Sequence, residues 1–263
     1  MYTTENTGRK LNILLTGSSG FIGTNFIRMS SEYNVRELDL ISTKPEKKDF
    51  RFVDIVVHLA GLAHQKGNIP EMNYFLVNRD LSLLIAKMAK ENGVPQFIYM
   101  SSSKVYGDFA NENEVFNEDS KCSPGSAYGR SKLEAEKLLL ELVSESFNVA
   151  IIRSPLVYGP GVKANMLMLM KFARRMPFLP FGKIGNKRSM VYIGNLVGLI
   201  KAIISKKTSG VFIAGDKEPL SSTFLIDCIC KQLGKKRIFF TMPKIFIKFL
   251  KRFKPNMYNQ LYV

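Results

Sequence analysis

The amino-acid sequence predicts an α/β fold in which a doubly wound parallel sheet carries helices on both faces and a small lobe follows at the C-terminus. Short apolar segments of strand type alternate with helical segments, which is the pattern of successive βαβ units. The predicted strands lie near residues 11–16, 34–40, 53–60, 96–101 and 149–153, and the predicted helices near residues 22–30, 77–92 and 128–146.

A glycine-rich turn joins the first predicted strand to the first predicted helix. The apolar run Leu11–Leu15 leads directly into Thr16–Gly23, which has glycines at positions 17, 20 and 23. In such a turn one glycine allows the tight bend, one lets the backbone approach a pyrophosphate, and one permits close packing of helix on strand. The helix N-terminus then presents N–H groups and a positive dipole end to the phosphates. These features predict a Rossmann-type dinucleotide-binding sheet.

An acidic residue follows at the end of the second predicted strand. Asp39 comes 16 residues after Gly23, where a carboxylate can accept both ribose hydroxyls of an adenosine. This position favours NAD as the cofactor. Arg36 and Lys44 lie close enough in sequence to bind a 2′-phosphate, so NADP stays open as an alternative.

Tyr128 and Lys132 lie four positions apart at the start of a strongly helical segment. This spacing places a phenol and an ammonium group on one helix face. We expect the fixed cation to stabilise the phenolate and to lower the pKa of the tyrosine towards neutrality, so that the pair acts as a general acid and base. The spacing alone is weak evidence, because helices rich in tyrosine and lysine produce it by chance.

Taken together, these segments resemble the extended short-chain dehydrogenases/reductases, in the NAD-dependent epimerase/dehydratase family. Four further segments match the family pattern: Val53–Gly61, Tyr74–Asn78, Gln96–Gly107 and Ile152–Gly161. Within the family the motifs look most like bacterial 4-reductases that form UDP-N-acetylquinovosamine and like UDP-hexose 4-epimerases.

The resemblance implies which residues carry catalysis and which bind the cofactor. Tyr128 would take the proton from a sugar hydroxyl, Ser102 would hydrogen-bond the same oxygen, and Lys132 would hold the nicotinamide ribose. No metal is implied. The implied cofactor-binding residues are Gly17, Gly20, Phe21, Ile22, Gly23, Asp39, Ala60, Gly61, Asn78, Lys132 and Pro155.

The resemblance also implies four substrate contacts, which are His64, Ser102, Asn165 and Arg188. A guanidinium at Arg188 suits the bidentate geometry of a diphosphate. Three of these residues also have a structural interpretation that stays open. Arg188 would belong to an exposed basic loop, Asn165 would cap a helix, and His64 would be a solvated loop side chain.

The reaction implied is oxidation or reduction at C4 of a UDP-hexose. We expect reduction of a UDP-4-keto-6-deoxy-N-acetylhexosamine for surface polysaccharide synthesis. The alternative is 4-epimerisation of UDP-glucose or UDP-N-acetylglucosamine, which uses the same serine, tyrosine and lysine. An alternative of another class is a non-catalytic nucleic-acid-binding or regulatory protein, but basic charge alone is unspecific and we expect no nucleic-acid partner.

Two departures from the family pattern affect the expected domains. Only 13 residues separate Asp39 from Val53, whereas a parallel crossover takes a dozen or more, so one βα unit is expected to be missing or reduced to a loop. Asp49 or Phe50 would then replace part of the adenine pocket. We expect residues 1–162, with 191–215 returning, to bind the dinucleotide, and residues 163–190 and 216–263 to form an apparently truncated substrate lobe.

Charge and composition complete the predictions from sequence. Residues 163–263 carry 20 Lys plus Arg against 3 Asp plus Glu, so the excess behind the net charge of +16 lies there. Pro243–Lys254 is apolar and basic in helical rhythm, which is typical of peripheral membrane helices, of a helix packed on the lobe, or of a surface for self-association. Without a signal peptide, a membrane span or a paired cysteine framework, we expect a cytoplasmic protein. The resemblance implies a homodimer formed through the helix that bears Tyr128.

Overall fold

A computed structural model of the chain describes residues 9–63, 69–107, 115–162 and 164–253. The strands are β1 (Asn12–Thr16), β2 (Asn34–Leu38), β3 (Ile55–His58), β4 (Gln96–Ser102), β5 (Asn148–Ser154), β6 (Leu156–Tyr158), β7 (Phe178–Leu179), β8 (Met190–Tyr192), β9 (Gly210–Ile213) and β10 (Ile238–Phe239). The helices are α1 (Phe21–Arg28), α2 (Glu71–Phe75), α3 (Ser82–Glu91), α4 (Ala127–Leu140), α5 (Ala164–Arg175), α6 (Ile193–Lys206), α7 (Ser222–Gln232) and α8 (Lys244–Phe253).

The chain divides into two compact units. The first contains residues 1–155 and 193–214, and the second contains residues 156–192 and 215–263. The predicted boundary at residue 162 lies seven residues beyond this division. The reason is that β6 pairs in parallel with β8 and therefore belongs to the second unit.

A six-stranded parallel sheet in the order β2-β1-β3-β4-β5-β9 forms the centre of the first unit. All seven residues of β4 and all four of β3 are buried, as expected for a parallel sheet covered on both faces. Side chains of alternate strand positions, such as Leu14, Val56 and Phe97, pack in one cluster with Ile85 of α3 and Leu139 of α4. The predicted α/β fold with a doubly wound parallel sheet is confirmed.

Parallel pairing brings the carboxyl ends of the strands to one edge of the sheet. The register pairs Thr16 at the end of β1 with His58 at the end of β3, and Ser102 at the end of β4 with Ser154 at the end of β5. The chain runs outward from β1 to β2 and then returns to β3 on the other side of β1. Ligands of such sheets bind outside the carboxyl ends at the point where the strand order reverses.

The connection from β2 to β3 is short, and β2 is the edge strand. The usual order of a dinucleotide-binding sheet places one more strand outside this position. Here the connection holds a single 3₁₀ turn, Lys47–Phe50, so the predicted loss of one βα unit is confirmed.

The 3₁₀ turn helps to close the core rather than to form an adenine pocket. Phe50 is only 1% exposed and packs in the cluster with Leu38 and Ile85. The expectation that Phe50 lines the adenine pocket is therefore wrong, because its ring is used to fill the core. The carboxylate of Asp49 accepts a hydrogen bond from the backbone N–H of Glu46 at 2.8 Å and so caps the turn.

The second unit has a small core of its own, in which α5 and α7 pack together. Its buried residues are Ala173, Leu179, Phe181, Ile184, Ile226 and Cys230. Two short parallel pairs, β6 with β8 and β7 with β10, complete it. None of the helices in the described ranges has the length and apolarity that a membrane crossing requires.

Candidate active site

The glycine turn after β1 leaves no room for side chains at two positions. Gly17 has a φ of +72°, and a Cβ atom added to it would lie 2.6 Å from the backbone nitrogen of Ala60. A Cβ atom on Gly23 would lie 2.3 Å from the carbonyl oxygen of Gly17. The turn therefore packs closely on both α1 and the segment after β3. Such a cradle fits a dinucleotide, whose pyrophosphate needs close approach of the backbone.

Helix α1 begins directly after this turn. Gly20 caps it without a side-chain hydrogen bond, and Phe21 and Ile22 occupy its first turn. The first N–H groups of a helix have no partner within the helix and carry the positive end of its dipole. The predicted contacts at Gly20, Phe21 and Ile22 would therefore be backbone contacts to phosphate.

Asp39 follows the end of β2 and is exposed. One of its carboxylate oxygens accepts the backbone N–H of Ile41 at 2.9 Å, and this bond is the main reason why the pKa of Asp39 is lowered. The side chain of Arg36 donates to the backbone carbonyls of Asp49 and Arg51. Arg36 is thus engaged with the 3₁₀ turn, which leaves the ionised Asp39 as the group suited to ribose hydroxyls and favours NAD over NADP.

Asn78 fixes the segment after β3 to the helix that bears the predicted tyrosine. It is fully buried in a π-helical turn, Leu76–Leu81, a rare geometry that is frequent at functional sites. Its amide donates to the carbonyl of Leu62 and to Ser131 of α4, both at 3.0 Å, and its oxygen accepts the N–H of Leu62 at 2.7 Å. The predicted cofactor residues Ala60 and Gly61 immediately precede this clamp.

The structure brings Ser102 and Tyr128 together. Ser102 is the last residue of β4, and its hydroxyl lies near enough to the phenol of Tyr128 to act on the pKa of that phenol. Ser126 caps α4 by accepting the N–H of Gly129 at 3.2 Å, so Tyr128 lies in the first turn. The tyrosine ring packs edge-on against Tyr74 with the ring centres 6.3 Å apart. Two hydroxyl groups thus converge at the carboxyl edge of the sheet.

Lys132 lies one helical turn after Tyr128 and is buried. Its ammonium donates to the carbonyl of Met100 at 2.9 Å and lies 4.5 Å from the ring centre of Tyr99. A Cβ atom on Gly61 would lie 3.1 Å from Lys132 Nζ, so the lysine borders the predicted cofactor segment. Burial lowers the pKa of Lys132 to about 7.

The pKa of Tyr128 differs from the expectation. Burial raises it, and the nearby hydroxyl of Ser102 acts in the opposite direction without reversing the shift. The expected lowering of this pKa by Lys132 is therefore wrong. The physical reason is that the phenolate would lose its hydration, while the lysine is engaged by a backbone carbonyl and is itself close to neutrality.

A buried ion pair that was not predicted from the sequence lies beneath the site. Glu136 and Arg153 are joined at 2.7 Å, and both side chains are almost fully buried. Glu136 also accepts a hydrogen bond from Ser101, and Arg153 donates to the hydroxyl of Tyr106 at 2.8 Å. The hydroxyl of Ser101 is therefore engaged by this buried pair. The signal available in the sequence was the position of Glu136, four residues after Lys132.

His58 at the end of β3 was also missed as a site residue. Its ring hydrogen-bonds Thr16 at 2.9 Å and Ser82 of α3 at 3.0 Å. Thr16 in turn accepts the N–H of Ala60 at 3.2 Å, which links the glycine turn to the cofactor edge. Burial, with a smaller effect of Lys132, lowers the pKa of His58 to about 3, so the ring is neutral.

The remaining predicted residues fall at different places. Pro155 follows Ser154, the partner of Ser102 in the sheet register, and so lies at the carboxyl edge. Arg188 belongs to the second unit, where its backbone forms a two-way bridge with Leu220 and burial lowers the pKa of its guanidinium. Asn165 is in α5, but its side chain lies outside the described structure, as does all of His64.

Among the described residues, no three potential metal ligands of the His, Cys, Asp or Glu type cluster together.

Comparison with known proteins agrees with this geometry. Residues 13–215 match the NAD dependent epimerase/dehydratase family. The chain belongs to this family. As a member of it, the protein is an enzyme that uses NAD, which excludes the non-catalytic alternative.

Relatives of this family member include two curated bacterial enzymes and a solved structure. A UDP-glucose 4-epimerase of Vibrio cholerae is 36% identical over 250 residues, covering 85% of this chain and 76% of the relative. An N-acetyl-α-D-glucosaminyl-diphospho-ditrans,octacis-undecaprenol 4-epimerase of Escherichia coli O157:H7 is 28% identical and covers 86% and 73%. The structure of the Thermus thermophilus UDP-glucose 4-epimerase with NAD has a TM-score of 0.73 at 21% identity and covers 89% and 86%, which shows the shared fold.

Proposed function

We propose that this enzyme oxidises and reduces C4 of a UDP-hexose with NAD. The observation that carries the proposal is the position of Ser102, at the end of β4, beside Tyr128 in the first turn of α4, with Lys132 one helical turn further along the same helix. This edge also holds the glycine turn that fits a dinucleotide. A sugar hydroxyl placed against the two hydroxyl groups would find a proton acceptor and a hydrogen-bond donor on the same atom.

NAD, when bound, supplies the acceptor and donor of hydride at the sugar carbon. The glycine turn, the first turn of α1, Asp39 and Asn78 would hold and orient it. Tyr128 would accept the C4 hydroxyl proton during oxidation and return a proton during reduction. Ser102 would hold the sugar oxygen in place throughout, and Lys132 would bind the nicotinamide ribose.

For the reaction outcome, we propose 4-epimerisation first. The support is the UDP-glucose 4-epimerase of V. cholerae, which is 36% identical over 85% of this chain. An epimerase must retain its reduced cofactor while the keto sugar turns over, so no net NADH is consumed. Surface polysaccharide synthesis is the process that we propose for the product.

Reduction of a UDP-4-keto-6-deoxy-N-acetylhexosamine is the second candidate, and the pKa of Tyr128 favours it. Because burial raises this pKa, the phenol is protonated at neutral pH and is ready to donate to a forming C4 alkoxide. Such an enzyme would take fresh NADH and release it oxidised.

For substrate binding, we propose Arg188 and Asn165 for the UDP diphosphate and His64 for the sugar. The guanidinium of Arg188 is partly buried, and a partly desolvated fork binds a diphosphate more strongly than a solvated one. We also propose a homodimer formed through α4. A cytoplasmic location is supported by the three cysteines, which are all free.

A substrate panel tests the proposal. The protein is incubated with UDP-glucose, UDP-N-acetylglucosamine, undecaprenyl-diphosphate-linked N-acetylglucosamine and the UDP-4-keto-6-deoxy sugar, with NAD, NADH or NADPH. Absorbance at the NADH band and product identity are followed. Interconversion without net NADH consumption supports the epimerase, and stoichiometric consumption supports the reductase. No turnover of any member with any cofactor would contradict the proposed function.

A further inference from the structure

Helix α8 carries an exposed apolar face. Ile245, Phe246, Phe249 and Phe253 are 73%, 58%, 55% and 61% exposed. At about 100° per residue, these four side chains lie within an arc of about 100° on the helix. Two of the rings, Phe249 and Phe253, contact each other at a tilt of 36° with their centres 4.6 Å apart. In the described part of the chain these residues are exposed and do not pack on the lobe.

Cations flank this apolar face. Lys248, Lys251 and Arg252 are exposed and occupy a second arc of about 100° beside the first. The helix sequence Lys244–Phe253 contains no acidic residue. The segment of the second unit that contains α8 is basic as well, because residues 215–263 hold 10 Lys plus Arg against 3 Asp plus Glu.

These charges decide between possible occupants of the face. A second copy of the chain would bring two strongly cationic surfaces together, which repel each other. An anionic lipid surface instead offers phosphates to the lysines and acyl chains to the phenylalanines. Helices that lie in a membrane interface combine these features, with aromatic and aliphatic residues on one face and Lys or Arg beside them.

We propose that α8 docks this enzyme on an anionic membrane, with Ile245, Phe246, Phe249 and Phe253 in the headgroup boundary and Lys248, Lys251 and Arg252 on lipid phosphates. The proposal does not depend on the reaction at C4. It names phospholipid as the partner, and binding to nucleic acid or to a second copy is a competing outcome of the test.

The chain has no tryptophan, which allows a direct measurement. Phe249→Trp places a single tryptophan, which can be excited apart from the tyrosines, on the proposed face, and Phe224→Trp places one at an exposed site on α7 as the control. Vesicles of phosphatidylcholine with phosphatidylglycerol are compared with vesicles of phosphatidylcholine alone. We expect a blue shift and quenching by brominated lipid for Phe249→Trp with the anionic vesicles only, and neither for Phe224→Trp.

Sedimentation with vesicles tests which side chains carry the binding. Phe246→Ser combined with Phe249→Ser should lower the vesicle-bound partition coefficient about tenfold or more, whereas Phe178→Ser, also exposed, should not. Lys248→Glu with Lys251→Glu should lower it more than the same charge change at Lys235 and Lys236. Turnover of a soluble substrate should stay unchanged in all variants.

Several results would overturn the proposal. One is a tryptophan at 249 that is already shielded in the free protein and unaffected by vesicles, because another part of the chain would then cover the face. Binding to neutral vesicles that equals binding to anionic vesicles would show a non-specific effect. So would a loss of vesicle binding in Phe178→Ser, or in the Lys235 and Lys236 variant, that equals the loss in the α8 variants. A dimer that dissociates when Phe246→Ser and Phe249→Ser are combined would identify a second copy of the chain as the partner. Binding to DNA without binding to anionic vesicles would identify nucleic acid as the partner.

Discussion

At the end of β4, Ser102 lies beside Tyr128, and its hydroxyl opposes the effect of burial on the pKa of the tyrosine. The serine therefore has two expected roles. It holds the oxygen that reacts, and it limits how far the pKa of Tyr128 rises. A catalytic acid and base works best with a pKa near the working pH, so both roles bear on turnover.

Replacing Ser102 with alanine should lower kcat about a hundredfold and displace the pH profile. We expect the profile to move to higher pH, because removing the Ser102 hydroxyl, which lowers the pKa of Tyr128, lets that pKa rise further. The profile of kcat/KM against pH is the measurement, and Ser103→Ala is the matched control. A profile of Ser102→Ala that overlays that of the control would show that the serine does not act on the tyrosine.

Individual site residues differ in how far the sequence could predict them. Gly17, Tyr128 and Lys132 could be proposed from the sequence because their spacing is set by local geometry, either a turn or one helix face. The partner of Glu136 could not be found in this way. Arg153 comes from a strand 17 residues along the chain, and only tertiary packing brings the two side chains together.

Helix α1 depends on a glycine that faces the turn before it. Gly23→Ala would place a methyl group 2.3 Å from the carbonyl oxygen of Gly17, so the helix must move and the N–H groups aimed at phosphate move with it. We expect NAD affinity to fall at least tenfold and unfolding free energy to fall by roughly 2 kcal/mol. Calorimetric titration with NAD and urea unfolding measure both.

The control for this change is Gly198→Ala in α6. A Cβ atom there meets no atom within 4 Å, so the substitution should raise stability by about 1 kcal/mol through helix propensity. If Gly23→Ala and Gly198→Ala changed NAD affinity and the free energy of unfolding equally, the close packing described for the glycine turn would be contradicted.

The buried pair between α4 and β5 links helix to sheet beneath the site. Replacing Glu136 alone with leucine leaves a buried guanidinium without its partner, so we expect a loss of roughly 3 kcal/mol or more. Adding Arg153→Leu should recover part of this loss, because two apolar side chains need no partner. A double-mutant cycle in urea measures the coupling. The control on the same helix is Glu134→Leu, whose exposed pair with Arg79 should matter by less than about 1 kcal/mol.

At the element scale the sequence predicted the alternation of strands and helices and the shortened crossover. The crossover was predictable from chain length alone, since 13 residues cannot hold a strand and a helix. The packing of the shortened connection between β2 and β3 was not predictable. Phe50 was assigned to an adenine pocket but fills the core, because burial in the cluster with Leu38 and Ile85 depends on how β2 and α3 pack.

The molecule as a whole should lose stability in mild acid through His58. Its pKa is about 3 in the folded chain against 6.5 for an ordinary histidine, so the unfolded state binds more protons and stability falls as the pH drops from about 6.5 towards 3. Lys132 does not contribute in this window, because below its folded pKa of about 7 it is protonated in both states.

Thermal unfolding between pH 7 and pH 4 checks this expectation. His58→Gln, which keeps hydrogen-bonding groups but cannot titrate, should flatten the decline in Tm. The chain has one other histidine, His64, and His64→Gln is the comparison. A decline that is the same in His58→Gln and in the unmodified protein would show that other groups control acid stability.

At the scale of the whole chain, the charge distribution follows the two units. The second unit carries most of the excess basic charge, and the two hydroxyls that we propose as catalytic belong to the first. Composition predicted this asymmetry, but it could not show which helix exposes an apolar face. That information required the exposure of Phe246 and Phe249 in the folded chain.

Turnover at C4 by Tyr128→Phe is the most direct test of the claim that Tyr128 is the acid and base of the proposed reaction. The substitution removes one oxygen and leaves the ring that packs on Tyr74, so NAD affinity and Tm should stay close to those of the unmodified enzyme. We predict that kcat with the preferred UDP-hexose falls at least a hundredfold. A Tyr128→Phe enzyme that binds NAD normally and still turns over within severalfold of the unmodified rate would contradict the account.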